Sequence, residues 1–132
     1  MEQGELTEQI IGVAMKVHAT LGPGFLESVY QNALAHELRK AGLRVECEKA
    51  VVVTYDGVVV GDFLADMLVE ETVLIENKAV QAINAAHEVQ LVNYLAATGV
   101  EIGLLINFGG QKLEFKRKHR TYRPKGSGLE AG

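Results

Sequence analysis

The 132-residue chain has one cysteine, two prolines and no tryptophan. A single cysteine, Cys47, excludes an internal disulfide and any zinc site assembled from cysteine pairs, and it reads as a small hydrophobe in a strand. No apolar run approaches the roughly 18 residues of a membrane span, and Met1-Glu2-Gln3-Gly4-Glu5 lacks the basic start of a signal peptide. The expectation is a soluble, cytoplasmic protein with no membrane partner. Repeats and low-complexity blocks are also missing.

What is present suffices for one packed core. The chain is 48% hydrophobic and has the length of one ordinary domain. Its formal net charge of −4 argues against a protein that coats nucleic acid, yet the charge is unevenly spread. Of 13 lysines and arginines, seven (Lys112, Lys116, Arg117, Lys118, Arg120, Arg123 and Lys125) lie between Lys112 and Lys125, with Glu114 the only acid among them. A basic stripe on an acidic body can steer a polyanion toward one edge; beyond Arg120 it can equally be a solvated tail. We expect one domain over residues 1–120 and a basic, then small-residue, flexible tail over 121–132.

Apolar residues at three- and four-residue spacing (Leu6, Ile10, Val13, Ala14, Val17, Leu21) predict a first helix, stopped by "LGPG". A second runs from near Phe25 to Gly42, with Leu26, Val29, Tyr30, Ala33, Leu34, Leu38 and Ala41 on one face. From Arg44 the period becomes two. "RVECEKAVVVTY" and "VVVGDFLADMLV" flank Asp56-Gly57, which suits a two-residue hairpin turn, and "VLIENKAV" follows after Glu70-Glu71-Thr72. Ile83–Thr98 is apolar on most sides, a helix between layers closed by Gly99. "IGLLINF" and "KLEFKR" add two strands. The order ααβββαββ predicts an α/β fold: one mixed β-sheet flanked by helices.

The third strand poses the functional question, because Glu76 and Lys78 share a face of an otherwise apolar segment. If Glu70-Glu71-Thr72 is a three-residue loop, Val69 pairs with Val73 and Asp66 comes opposite Glu76, with Cβ atoms about 5 Å apart. Two carboxylates so close repel, and desolvation worsens the clash. Lys78 offsets part of it. A divalent cation would offset more, since Mg²⁺ and Mn²⁺ prefer carboxylate oxygens. Two acids, a metal and a lysine suit phosphodiester hydrolysis; the same charges also suit a plain ion-pair cluster.

Asp66, nine intervening residues, then Glu76-Asn77-Lys78 resembles the D…ExK core of the PD-(D/E)xK nuclease-like superfamily. Gly24, Glu27 and Tyr30 in "GFLESVY" match the motif that names the GxxExxY protein family, and "VHATLGPG", "QLVNYL" and "GLLINFG" are similar to that family too. The resemblance spans about Ile10 to Arg117. It implies a restriction-endonuclease-like fold, metal ligands Asp66 and Glu76, a catalytic Lys78, and Glu27 near the metal. Gln90 corresponds to the polar residue of the helix after the core strands; with Tyr94 one turn on, it could hydrogen-bond the lysine or the substrate. The residues themselves leave Glu27, Gln90 and Tyr94 open to ordinary helix-surface roles.

The chain departs from the pattern at Ala65, where proline is common, and at Asn77, where the middle residue is usually apolar. His18 and His87 could line the cleft but more simply are hydrogen-bonded in place. Tyr30 reads mainly as core, with a hydroxyl able to reach Glu27. The expectation is therefore a Mg²⁺- or Mn²⁺-dependent nuclease acting on DNA or RNA. The alternative is a non-catalytic nuclease-like module that binds nucleic acid or a protein partner. A homodimer using the apolar helices is a further possibility.

Overall fold

A computed structural model describes residues 2–120; the tail expected over 121–132 lies outside them. The elements are α1 (Gln3–Leu21), α2 (Glu27–Lys40), β1 (Val45–Tyr55), β2 (Val58–Val69), β3 (Val73–Lys78), α3 (Ala85–Thr98), β4 (Ile102–Asn107) and β5 (Glu114–His119). The order is the expected ααβββαββ. The five strands form one mixed sheet in sequence order, antiparallel except for β3 and β4, which are parallel and joined through α3. This architecture is consistent with a restriction-endonuclease-like fold.

Helices cover both faces, so there are two cores. On one side Leu6, Ile10, Ala14 and Val17 of α1 and Tyr30, Leu34 and Leu38 of α2 pack on Met67, Val69, Val73, Ile75, Leu104 and Ile106. On the other, Leu91 and Leu95 of α3 pack on Ala65, Leu68, Leu74 and Leu105. Strands β3 and β4 lie between the layers, which is why "VLIEN" and "IGLLIN" are buried throughout rather than alternately. The apolar stripes of α1 and α2 are thus packed on the sheet.

Local chemistry explains most boundaries. Asn84 caps α3 by accepting from the His87 N–H (3.0 Å), and the His87 ring accepts from the Asn84 N–H (3.2 Å). At the other end, Gly99 takes the left-handed conformation that closes the helix. Asp56 and Gly57 both have positive φ, as a two-residue hairpin turn requires. Glu70, Glu71 and Thr72 form the expected three-residue connection, because Val69 does pair with Val73.

Beyond Lys78 the chain is clamped. Lys78 pairs in register with Asn107. The buried Asn107 amide accepts from the N–H groups of Val80 and Gly109 and donates to the Val80 carbonyl and to Glu114. Glu114 in turn accepts from the Ile83 N–H. Gly109 is tight against this turn: a Cβ there would lie 2.3 Å from the Val80 carbonyl oxygen.

A candidate active site where two strands part

The β2–β3 ladder runs from Val69↔Val73 to Met67↔Ile75 and stops one step short of Asp66 and Glu76. From there side chains replace backbone partners. The Asp66 N–H donates to Glu76 Oε1 (3.1 Å), and the Asn77 N–H donates to Asp66 Oδ2 (2.7 Å). The two carboxylates therefore do come together, but as a wedge between diverging strands and not as a ladder pair. They lie in the middle of the sheet, between β2 and β3.

The divergence has a cause on the β1 side as well. Glu48 adopts a positive φ of 55°, which costs a non-glycine residue strain, and the β1–β2 ladder skips from Cys47↔Met67 to Lys49↔Ala65. Across that gap the faces exchange. Cys47 and Met67 pack toward α1 and α2, while Val51 and Ala65 pack toward α3. Asp66 and Glu48 stand at the exchange point, where neither side chain is committed to a core.

Electrostatics there is set by burial and like charge. Burial raises the Asp66 carboxyl to about 6; the Asn77 N–H opposes this, and the charges of Glu27 and Glu48 add to it. Glu76, 5% exposed, is raised to about 8, by burial first and by Asp66 second, against the pull of the Asp66 N–H and Lys78. Lys78 is half-buried and favours ionisation of both acids without forming a direct ion pair with either. Burial and the same two carboxylates push the Tyr94 hydroxyl up, so α3 delivers Tyr94 to the site's rim, stacked on Phe63 at 4.1 Å.

One oxygen of each central acid, Asp66 Oδ1 and Glu76 Oε2, accepts no hydrogen bond from the described residues. A buried pair of mutually repelling carboxylates with open oxygens is a donor set that fits a hard cation. Among the described residues, no three His, Cys, Asp or Glu side chains form a metal-holding group. Mg²⁺ needs fewer, because it keeps several waters and takes one or two carboxylates plus substrate phosphates.

The family model for the PD-(D/E)XK nuclease superfamily matches residues 4–118. The chain belongs to that superfamily. The crystal structure of SSO0001 resembles it with a TM-score of 0.59 at 18% identity, covering 73% of this chain and 50% of that one. That likeness is one of fold, and the chain spans half of that protein's length. No curated protein matches.

In this superfamily member the expected residues separate into two groups. Glu27, the first residue of α2, is exposed and its charge reaches both Asp66 and Glu76. Gln90 is exposed on α3 and makes no hydrogen bond to Lys78. Tyr30 is core, stacked on Phe108 at 4.8 Å, but its hydroxyl donates to the Gly22 carbonyl and accepts from the Phe25 N–H, closing the "LGPG" loop and not reaching Glu27. His18 binds the Gly110 carbonyl (2.9 Å) and His87 caps α3, so neither lines the wedge. Asn77 faces Met67 (Nδ2 to Sδ 3.2 Å) on the α1–α2 side.

Glu48 was not legible in advance. Its carboxylate accepts from the buried Gln31 amide (3.0 Å), which ties β1 to α2 one turn past Glu27. Counting back from the Asp56-Gly57 turn would set Cys47 opposite Asp66. An extra residue at Val60 shifts the register by one and brings Glu48 there instead.

The basic segment is partly neutralised. Lys118 pairs with Glu88 and Arg120 with Glu101, while Lys116 and Arg117 are exposed on β5; Arg123 and Lys125 lie outside the described residues. No helix among the described residues is long and apolar enough to cross a membrane.

Proposed function

We propose that this chain is a metal-dependent phosphodiesterase, a small nuclease acting on DNA or RNA, and that within its superfamily it is of the GxxExxY type. The observation that carries the reading is the Asp66–Glu76 wedge, two carboxylates raised to about 6 and about 8, with one open oxygen each. Such a pair destabilises the free protein unless a cation or a proton occupies it. Asp66 and Glu76 would hold Mg²⁺ or Mn²⁺, with Glu27 at the margin. When bound, the ion supplies Lewis-acid polarisation of a phosphoryl oxygen and acidifies water.

The chain's own residues then have distinct tasks. Glu76 accepts from the Asp66 N–H and Asp66 from the Asn77 N–H, so both carboxylates are held in place without rotamer search. Lys78, at the end of β3, is the catalytic cation, countering negative charge that grows on phosphate as the bond breaks. Asn107 holds the chain just past Lys78 and so fixes where its ammonium can reach. Gln90 and Tyr94 flank the approach from α3, where they can contact substrate.

Plasmid nicking with Mg²⁺ or Mn²⁺ tests the reading. Lys78→Ala should lower the rate about 10²–10³-fold, and Asp66→Ala should abolish metal-dependent cleavage. Nicking that survives both substitutions overturns it. A second reading, a non-catalytic module that holds nucleic acid along exposed Lys116 and Arg117, draws on the lack of a third ligand in the wedge among the described residues. It predicts no rise of Tm with Mn²⁺.

A further inference from the structure

Between the outer part of the β1–β2 hairpin and the second half of α3 lies a cavity of about 530 Å³, lined by Val53, Thr54, Phe63, Asn93, Tyr94 and Ala97. Its size is that of a small-molecule site. Sparse side chains keep it open. Gly61 pairs with Val53 and adds nothing to that face, where a Cβ would meet no atom within 4 Å, and Ala97 contributes only a methyl group.

The walls select by chemistry. None of the lining residues carries a charge, so nothing there holds a phosphate. Phe63 and Tyr94, stacked at 4.1 Å, supply flat aromatic surface, which favours a planar ring over an aliphatic chain. Asn93 adds a polar demand, because its Oδ1 is buried with no hydrogen-bond partner among the described residues. Such an orphan is costly, and a ligand that brings N–H groups relieves it once the side chain turns toward the cavity it lines. A flat, uncharged ring that carries N–H groups is a nucleobase; asparagine pairs the edge of adenine through two hydrogen bonds.

The cavity also adjoins the wedge. Burial and the charges of Glu76 and Asp66 push the Tyr94 hydroxyl up, so one residue borders both places. Phe63 precedes Asp66 by three residues of β2, about 10 Å at 3.3 Å per residue. That is the reach from a phosphate to the base of an adjoining nucleotide.

We propose that this cavity is a nucleobase subsite, which takes one unpaired base from the strand whose phosphate lies at the Asp66–Glu76 wedge. A base inside a duplex is stacked and paired, so it must leave the helix to enter, and this costs least where the strand is already single. The substrate class is therefore single-stranded or locally unpaired nucleic acid. The link to a phosphate at the wedge rests on the nuclease reading; the base subsite does not.

NMR titration of the full chain with adenosine, in the absence of metal, tests the subsite apart from any cleavage. Saturable shifts are expected at Val53, Asn93 and Ala97. Ribose 5-phosphate, which has the sugar and the phosphate but no base, should leave those signals in place. Phe63→Leu keeps apolar bulk and removes the ring, and Asn93→Leu keeps the size and removes the amide; each should weaken adenosine binding about fivefold or more. No saturable shift, an equal response to ribose 5-phosphate, or an affinity indifferent to either substitution overturns the proposal. With Mg²⁺ or Mn²⁺, a single-stranded oligonucleotide should be cut about tenfold or more faster than the same sequence in a duplex, and equal rates overturn the single-strand assignment. Adenosine binding without cleavage of any nucleic acid leaves the subsite standing and counts against the nuclease reading alone.

Discussion

The inner and outer halves of the β1–β2 hairpin have the same strand chemistry and opposite fates. Near β3, Met67, Leu68 and Val69 are buried between helical layers. Farther out, Val58, Val59 and Val60 are about 60% exposed although they are as β-branched and as apolar. Propensity makes both halves strand; only the helices decide which half becomes core. The charged wedge lies at the join, where the faces exchange and neither layer has full cover. A carboxylate pair is tolerable there because each acid accepts a backbone N–H and can take up a proton.

Five measurements would break or sharpen that contrast. The largest effect belongs to the inner half: Leu105→Ala, at a position 0% exposed, should cost 2–5 kcal/mol in chemical denaturation. A loss below about 1 kcal/mol would mean the α3 layer is not a packed core.

The next concerns the join itself. Glu76 has a folded pKa raised to about 8 from 4.5. The folded state therefore binds more protons than the unfolded one between those values, and metal-free stability falls as pH rises through the window. Glu76→Gln keeps an acceptor for the Asp66 N–H and removes the charge, so it should stabilise the protein at pH 8 by on the order of 3 kcal/mol. It should change little at pH 4. Thermal melts at both pH values decide this, and equal shifts at both would refute the assigned cause. In wild type, Mn²⁺ should raise Tm more at pH 8 than at pH 6, because ligation expels the protons.

A smaller effect is expected where α3 meets the outer half. A double-mutant cycle on Phe63 and Tyr94, stacked at 4.1 Å, should return about 0.5–1.5 kcal/mol of coupling. Zero coupling would detach Tyr94 from the hairpin. Smallest is Val58→Ala at the hairpin tip, within about 0.5 kcal/mol for the folded monomer. A larger loss, measured at dilution, would mean that the tip packs on something in the monomer.

Much of this architecture can be read in the residues, and the failures share one cause. The stripes of α1 and α2, the Asp56-Gly57 turn, the glycine after α3 and the three-residue loop through Glu70-Glu71-Thr72 each depend on neighbours in sequence. Loop length and strand period were therefore enough to bring Asp66 beside Glu76. Positions that depend on tertiary strain were not legible. Nothing in "ECEK" announces the positive φ of Glu48, and nothing in "VVVGDF" announces the extra residue at Val60 that resets the register. Tyr30 misled for a related reason: its spacing marks it as core, but the destination of its hydroxyl, the loop before α2, depends on how α1 and α2 meet.

The Asn107 clamp makes the path from Lys78 to α3 a segment of fixed length. Adding a residue between Val80 and Ile83 would pull apart bonds to both carbonyl and N–H groups and drive chain into Gly109, where not even a methyl fits. The Asp56-Gly57 tip has no such constraint. Relatives of this chain should therefore vary in length at the hairpin tip. Between β3 and α3 they should keep the count.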